Sequence, residues 1–205
     1  MRLGILGGAF NPPHIGHLVC AQEALVQLEL DKMLFIPVGQ APHREIEQDP
    51  GPAARLRMCE LAIEGNERFE LSRMELDRSG PSYTSDTLRQ LHDEHPEDEL
   101  VLVLGSDQAS NLSRWHEPEA VLELATVAVV ERTGTHREAV AVKIASIKGA
   151  HRVRFFHIPA IGVSSTLVRN RARQDKPIRY LVPEKVAEYM EENGLYSASA
   201  AVGAG

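Results

Sequence analysis

The chain has 205 residues, 43% hydrophobic and 25% charged, with 22 Lys and Arg against 29 Asp and Glu for a formal net charge of −7. Such proportions exclude disordered, collagen-like and membrane-spanning chains, and the length suits one domain that buries about 70% of its unfolded surface without a metal or disulfide. An acidic chain has no general attraction for nucleic acid or anionic lipid, so any phosphate ligand must be held by a local positive site.

The run from Met1 to Phe10 is apolar but stops at Asn11-Pro12-Pro13 with no small-residue cleavage site, so Leu3 to Leu6 reads as a strand rather than part of a leader. Further strands are predicted at Met33 to Val38, Leu100 to Leu104, Ala125 to Val130 and Val153 to Ile158. Leu100 to Leu104 and Val127 to Val130 are apolar at every position, as parallel strands covered on both faces require. Helical period fills 15 to 29, 53 to 65, 84 to 94, 138 to 147 and 165 to 174. A last helix, 183 to 193, is opened by Pro183 and closed by Asn193-Gly194. This alternation predicts an α/β fold, a doubly wound parallel sheet with a small C-terminal helical segment. Residues 1 to 196 form one domain in this reading, with 164 to 196 as its helical part and 197 to 205 as a flexible tail. Cys20 and Cys59 have no metal or disulfide spacing and read as buried thiols of a reducing cytoplasm. No apolar run reaches the roughly 18 residues that span a bilayer, so a soluble cytoplasmic protein is expected.

In such a sheet, ligands bind beyond the carboxyl ends of the strands. The chemically unusual residues follow those ends: Gly7-Gly8-Ala9-Phe10-Asn11-Pro12-Pro13-His14-Ile15-Gly16-His17, then Gly39 to Arg44, Gly105-Ser106-Asp107, Glu131 to Gly134 and Pro159 to Ser165. Gly7-Gly8 lets backbone approach a ligand, with positive φ open to it, and the helix that follows turns its free N–H groups toward phosphate. An ordinary glycine turn is the competing reading. His14 and His17 share one face of the first turn and can polarise phosphate oxygens as a phosphoanhydride breaks. A pair of capping or half-buried histidines and a zinc pair are the alternatives, the latter without a third ligand at diagnostic spacing. Near the other end, Ser164, Ser165 and Thr166 offer hydroxyls and an N-cap, and Arg169 one turn later can fork onto phosphate. Arg169, Arg171, Arg173, Lys176 and Arg179 against Asp175 make the stretch from Ser164 to Arg179 locally basic, with Arg171 and Arg173 read as a solvated helix face.

The glycine-to-histidine segment resembles the G-G-x-F-x-P-x-H-x-G-H signature of the H-x-G-H nucleotidylyltransferase superfamily. Ile161-Gly162-Val163-Ser164-Ser165-Thr166-Leu167-Val168-Arg169 resembles its companion I-S-S-T-x-x-R signature, with Val163 in place of the usual Ile. Pro81 to Leu88, Gly105 to Gln108 with Trp115, and Ile178 to Pro183 resemble the bacterial nicotinate mononucleotide adenylyltransferase branch, and the similarity runs from Leu3 to about Tyr196. The resemblance implies a Rossmann-like fold and adenylyl transfer from ATP to nicotinate mononucleotide, with Mg²⁺ carried on the ATP. ATP would meet Gly7, Gly8, Ala9, Phe10, His14, His17, Gly105, Asp107, Ser164, Ser165, Thr166 and Arg169, of which His14, His17 and Arg169 would be catalytic. The mononucleotide would meet the backbone N–H groups of Tyr83 and Thr84 through its carboxylate, Trp115 through its ring, Asp107 through ribose hydroxyls, and His43 and Arg44 through its phosphate. Arg44 stands where that family commonly has Lys, so its planar fork alters the contact. Without the resemblance, Tyr83-Thr84 is a plain helix start, Trp115 a core or surface anchor, and Asp107 an N-cap for 108 to 113. The segment 39 to 52 reads as a lid. The rivals are a pantetheine-phosphate adenylyltransferase and a non-catalytic nucleotide-binding module of the same fold. A homo-oligomer is compatible with the sequence, though no interface pattern marks one.

Overall fold

The computed structural model describes residues 1–42, 45–131 and 137–197. Its strands are β1 (Arg2–Gly8), β2 (Lys32–Pro37), β3 (Phe69–Leu71), β4 (Glu99–Gly105), β5 (Thr126–Glu131) and β6 (Arg154–His157). They form one sheet in the order β3-β2-β1-β4-β5-β6, with each neighbouring pair parallel. The helices are α1 (Ile15–Gln27), α2 (Pro52–Ile63), α3 (Thr84–Glu94), α4 (Ser106–Ala109), α5 (Pro118–Leu124), α6 (Arg137–Ile144), α7 (Ser165–Arg173) and α8 (Glu184–Glu192).

The all-apolar runs have a direct cause in this layout. Leu100, Leu102, Leu104, Val127 and Val129 pack on one side of the sheet with Leu88 and Leu91 of α3, Leu122 of α5 and Val140 of α6. Val101, Val103, Ala128 and Val130, offset by one residue, pack on the other with Ala21, Ala24 and Leu25 of α1 and Cys59 of α2. A strand covered on both faces leaves no polar position in its pattern. Because β2 and β3 extend from one side of β1 while β4, β5 and β6 extend from the other, the chain reverses its winding between β1 and β4. The carboxyl ends of those two strands therefore open onto a crevice.

β3, α4 and α5 were not anticipated. β3 is three residues long and pairs only with β2, too short for a period of two to declare itself. α5 has seven residues after Glu117, which takes a left-handed conformation at φ 48°. Cys20 and Cys59 are both buried and are not joined in a disulfide.

A third apolar cluster joins Met58 and Ala62 of α2 to Val168 of α7, Val186 and Met190 of α8, and Tyr196. The Tyr196 hydroxyl donates to Asn11 Oδ1 at 2.5 Å, so the last described turn reaches the loop after β1. Tyr196→Phe removes this donor and leaves a buried acceptor unmet, which is expected to cost about 1–3 kcal/mol in urea unfolding. An unchanged midpoint would show the bond to be dispensable.

Candidate functional site

β1 runs to its end through Gly7 and Gly8. A Cβ on Gly7 would meet nothing within 4 Å, so the backbone there borders open space. Both glycines keep negative φ. The left-handed turn expected of them falls on Phe10, at φ 47°, whose buried ring lies 3.5 Å from where a Gly8 Cβ would be. That ring meets His17 edge-on at a centroid distance of 5.1 Å and Phe35 at 5.8 Å. An aromatic anchor in the core, rather than glycine freedom, sets the turn.

His14 is the N-cap of α1, in extended conformation, and its Nδ1 accepts the Gly16 N–H at 3.1 Å. His17 Nδ1 accepts the N–H of His14, also at 3.1 Å. The two imidazoles thus form a reciprocal capping box, the role usually taken by Ser or Thr with Glu. With both Nδ1 atoms accepting, each neutral ring carries its proton on Nε2. The rings stack at 3.8 Å between centroids, 31° from parallel. Capping, one of the alternatives to a phosphate role in the sequence, is present in the fold.

The loop between Gly8 and His14 belongs to no helix or strand, so its polar groups need partners from elsewhere. Arg55 of α2, only 1% exposed, donates from Nη1 to the carbonyls of Ala9 (3.2 Å) and Val38 (2.8 Å) and from Nε to Asp49 Oδ1 (2.9 Å). The Asn11 carbonyl accepts Arg169 Nη1 at 2.8 Å, the Pro12 carbonyl accepts the Ser165 hydroxyl at 2.8 Å, and Asn11 Nδ2 donates to the Glu47 carbonyl at 2.7 Å. The N–H of Ile15 donates to the Leu181 carbonyl at 3.0 Å.

Ser164 caps α7 as expected, its Oγ accepting the Leu167 N–H at 3.1 Å. The guanidinium of Arg169 is buried and turned toward the loop after β1. Nη1 is taken by Asn11, Nη2 is 3.4 Å from Thr166 Oγ1 and 3.5 Å from the Glu47 carboxylate, and the buried Nε has no partner among the described residues.

The strip after β2 links this loop to the second half of the rim. Val38 N–H donates to the Gly8 carbonyl (2.9 Å), and Gly39 and Gln40 N–H both donate to Ser82 Oγ (3.1 and 3.2 Å). Ser82 N–H returns to the Gln40 carbonyl at 2.8 Å. Tyr83 is the N-cap of α3 and Thr84 its first residue, although the Tyr83 N–H already leans on the Pro81 carbonyl at 3.1 Å. The Tyr83 ring stacks on His116 at 4.2 Å. Trp115 beside it is half-buried against the core. Gly105, not Asp107, is the N-cap of α4, and Asp107 lies exposed in its first turn, which corrects the capping alternative. A helix that begins directly at the strand end places its cap two residues earlier than the sequence suggested. Ser106 donates to the Val130 carbonyl at 2.7 Å.

Among the described residues, the side chains of Arg171 and Arg173 bond within their own neighbourhood, to Pro177 and Asn170. His43 and Arg44 lie outside the described residues, as does the tail beyond 197. Of the segment from 39 to 52, the described parts are held by Ser82, Asn11 and Arg55. Sequence reasoning missed Asn11, Arg55, Glu47, Glu75 and Tyr196. A proline-flanked Asn and an Arg amid an apolar helical stripe were the only signals available. Among the described residues, no three His, Cys, Asp or Glu side chains gather as a metal site, and no helix is long and apolar enough to cross a membrane.

A cytidylyltransferase-like family model matches residues 5–171. The nicotinate-nucleotide adenylyltransferase of Bacillus subtilis is 39% identical over 197 residues, spanning 96% of this chain and 99% of the relative. The chain belongs to the nicotinate-nucleotide adenylyltransferase family. A probable member from Geobacillus kaustophilus is 43% identical over 201 residues, spanning 98% of this chain and 88% of its own. The family fold recurs in the Plasmodium falciparum nicotinic acid mononucleotide adenylyltransferase complexed with NaAD, at a TM-score of 0.74 and 18% identity over 95% of this chain and 97% of that one.

Glu75, 7% exposed, accepts the Thr87 hydroxyl at 2.8 Å. Burial raises its carboxyl from the ordinary 4.5 to about 7, against the opposing pull of Thr87, Arg78 and Ser82. The folded chain therefore holds this proton more tightly than the unfolded chain. Glu75's contribution to stability is full below about pH 4.5 and is lost as pH rises through about 7, a span of about 3 kcal/mol. Glu75→Gln, which cannot titrate, is expected to flatten the decline in urea midpoint across that window. Parallel curves for the two proteins would contradict the assignment.

Proposed function

We infer that this chain transfers the adenylyl group of ATP to nicotinate mononucleotide. An acceptor phosphate oxygen bonds to the α-phosphorus, the α–β anhydride bond breaks, and pyrophosphate leaves with the electron pair. The products are nicotinate adenine dinucleotide and pyrophosphate. The observation that carries this reading is the stacked His14–His17 cap beside the open flank of Gly7, at the switch point of a family fold.

The attacking phosphate is already anionic, so no general base is needed. The protein's task is to align two anions and offset their repulsion. With Nδ1 of each ring held by the helix start, the Nε2–H groups of His14 and His17 act as fixed donors to the α-phosphoryl oxygens. The open flank of Gly7 leaves room for that group. Ser164, Ser165, Thr166 and Arg169 receive the β and γ phosphates, and Arg169 exchanges Glu47 for them. Mg²⁺ carried on the ATP would supply neutralisation of phosphate charge, since no cluster of carboxylates among the described residues would hold it. The backbone at Tyr83 and Thr84 takes the pyridine carboxylate at a helix start, where negative charge is favoured. Trp115 covers the ring, Asp107 orients ribose hydroxyls, and His43 and Arg44 neutralise the acceptor phosphate. Residues 1–196 act as one catalytic domain of a cytoplasmic enzyme.

Pyrophosphate release from MgATP, measured with nicotinate mononucleotide, nicotinamide mononucleotide and phosphopantetheine in parallel, should be strongest with the first. Preference for phosphopantetheine would move the chain to a sister branch, and silence with all three would favour a non-catalytic module. His17→Ala should lower kcat by about 10²–10³-fold, the scale for one preorganised donor. His17→Gln, which can keep the cap through Oε1, should lose as much, and full activity in either would remove the role.

Glu47 is 83% exposed and competes with phosphate for Arg169 only weakly. Glu47→Ala is expected to lower the KM for ATP by no more than about fivefold at unchanged kcat. A raised KM would mean that Glu47 supports the site instead.

A further inference from the structure

We propose that Glu75 is a positioning residue for the acceptor nucleotide, fixing through Ser82 and Thr87 the start of α3 that receives the pyridine carboxylate. This rests on the acceptor reading given above.

Glu75 is held at both ends. A Cβ on Gly39 would come within 2.1 Å of the Glu75 carbonyl oxygen, so only glycine lets the strip leaving β2 lie against this backbone. The carboxyl group reaches the other way, into the first turn of α3. There the Thr87 hydroxyl donates to Oε1 at 2.8 Å in preference to the Tyr83 carbonyl at 3.3 Å. Thr87 Oγ1 in turn accepts Arg78 Nη1 at 3.1 Å. Ser82 Oγ spends both its lone pairs on the N–H groups of Gly39 and Gln40, which leaves its single proton for the carboxyl group beside it.

Ser82 and Thr87 bracket Tyr83 and Thr84. Two hydroxyl donors converge on one side chain, and only a carboxyl group offers two oxygens to receive them. An amide in the same place must turn N–H₂ toward one hydroxyl: Ser82 Oγ already takes two donors, and Thr87 Oγ1, with one lone pair left beside Arg78, accepts it only by turning its own proton away to the Tyr83 carbonyl. Without the carboxyl group, the Thr87 hydroxyl falls back to the Tyr83 carbonyl and Ser82 loses its anchor. The segment then shifts relative to the strip that ties it to the crevice. Glu75 touches no reacting atom, so such a shift affects capture of the acceptor and leaves the chemistry at His14 and His17 intact.

The test is steady-state kinetics of Glu75→Gln, Ser82→Ala and the double variant, with MgATP and nicotinate mononucleotide, alongside thermal unfolding. The KM for the mononucleotide is expected to rise about tenfold in each single variant, with kcat within about threefold and the KM for ATP within about twofold. The double variant is expected to be no worse than the more impaired single one, because both changes break one network. An unaltered mononucleotide KM in folded Glu75→Gln overturns the proposal. So does an equal loss across kcat and both KM values, the mark of a merely structural residue, or strict additivity in the double variant. Wild-type protein inert toward nicotinate mononucleotide but active with another acceptor overturns the acceptor assignment and this proposal together.

Discussion

The loop from Ala9 to Pro13 must bury its carbonyls without the help of a helix or strand, and the rest of the site depends on how that demand is met. Unpaired buried carbonyls are costly, and here each partner is brought by a different part of the chain. Arg55 comes from α2, Arg169 and Ser165 from α7, and Tyr196 from beyond α8. These contacts fix Asn11 from several directions. They thereby fix the entry of α1, where two histidines complete the helix start by capping each other. The geometry offered to a phosphate is set by backbone satisfaction several residues away.

The same economy joins the two halves of the rim. Val38, Gly39 and Gln40 form a short ledge between the loop after β1 and the start of α3, and every link in it is a hydrogen bond to backbone. Gly39 is irreplaceable there because another backbone occupies the place of its side chain. Arg55 and Glu75 are buried ionisable groups at either end of this ledge. One feeds carbonyls and the other receives hydroxyls, which is how a protein can bury charge without stranding it.

Much of this was legible in the sequence, for identifiable reasons. Strands covered on both faces must be apolar throughout, so Leu100 to Leu104 and Val127 to Val130 declared themselves. A Ser before a helical run is a cap, and Ser164 is one. Two histidines three apart at a helix start were legible as a capping pair, and they are one. What stayed hidden depends on partners distant in the chain. Asn11 is an unremarkable residue until Tyr196 and Arg169 arrive, and Arg55 and Glu75 look like surface charges until their neighbours close over them. Phe10 shows the limit of residue-type rules: glycines stood beside it, yet packing against Phe35 and His17 put the left-handed turn on the aromatic residue. Asp107 failed differently, because a helix beginning at the strand's last residue moved the cap to Gly105.

The bond from Tyr196 to Asn11 spans 185 positions, and that from Ser165 to Pro12 spans 153. A chain made from its amino end can pair β1 with β2 and β4 while the ribosome is still at work. The loop after β1 must wait for nearly the whole molecule. A fragment released before α7 would hold all six described strands and no finished crevice, so the loop after β1 is completed only by the helices that follow the sheet.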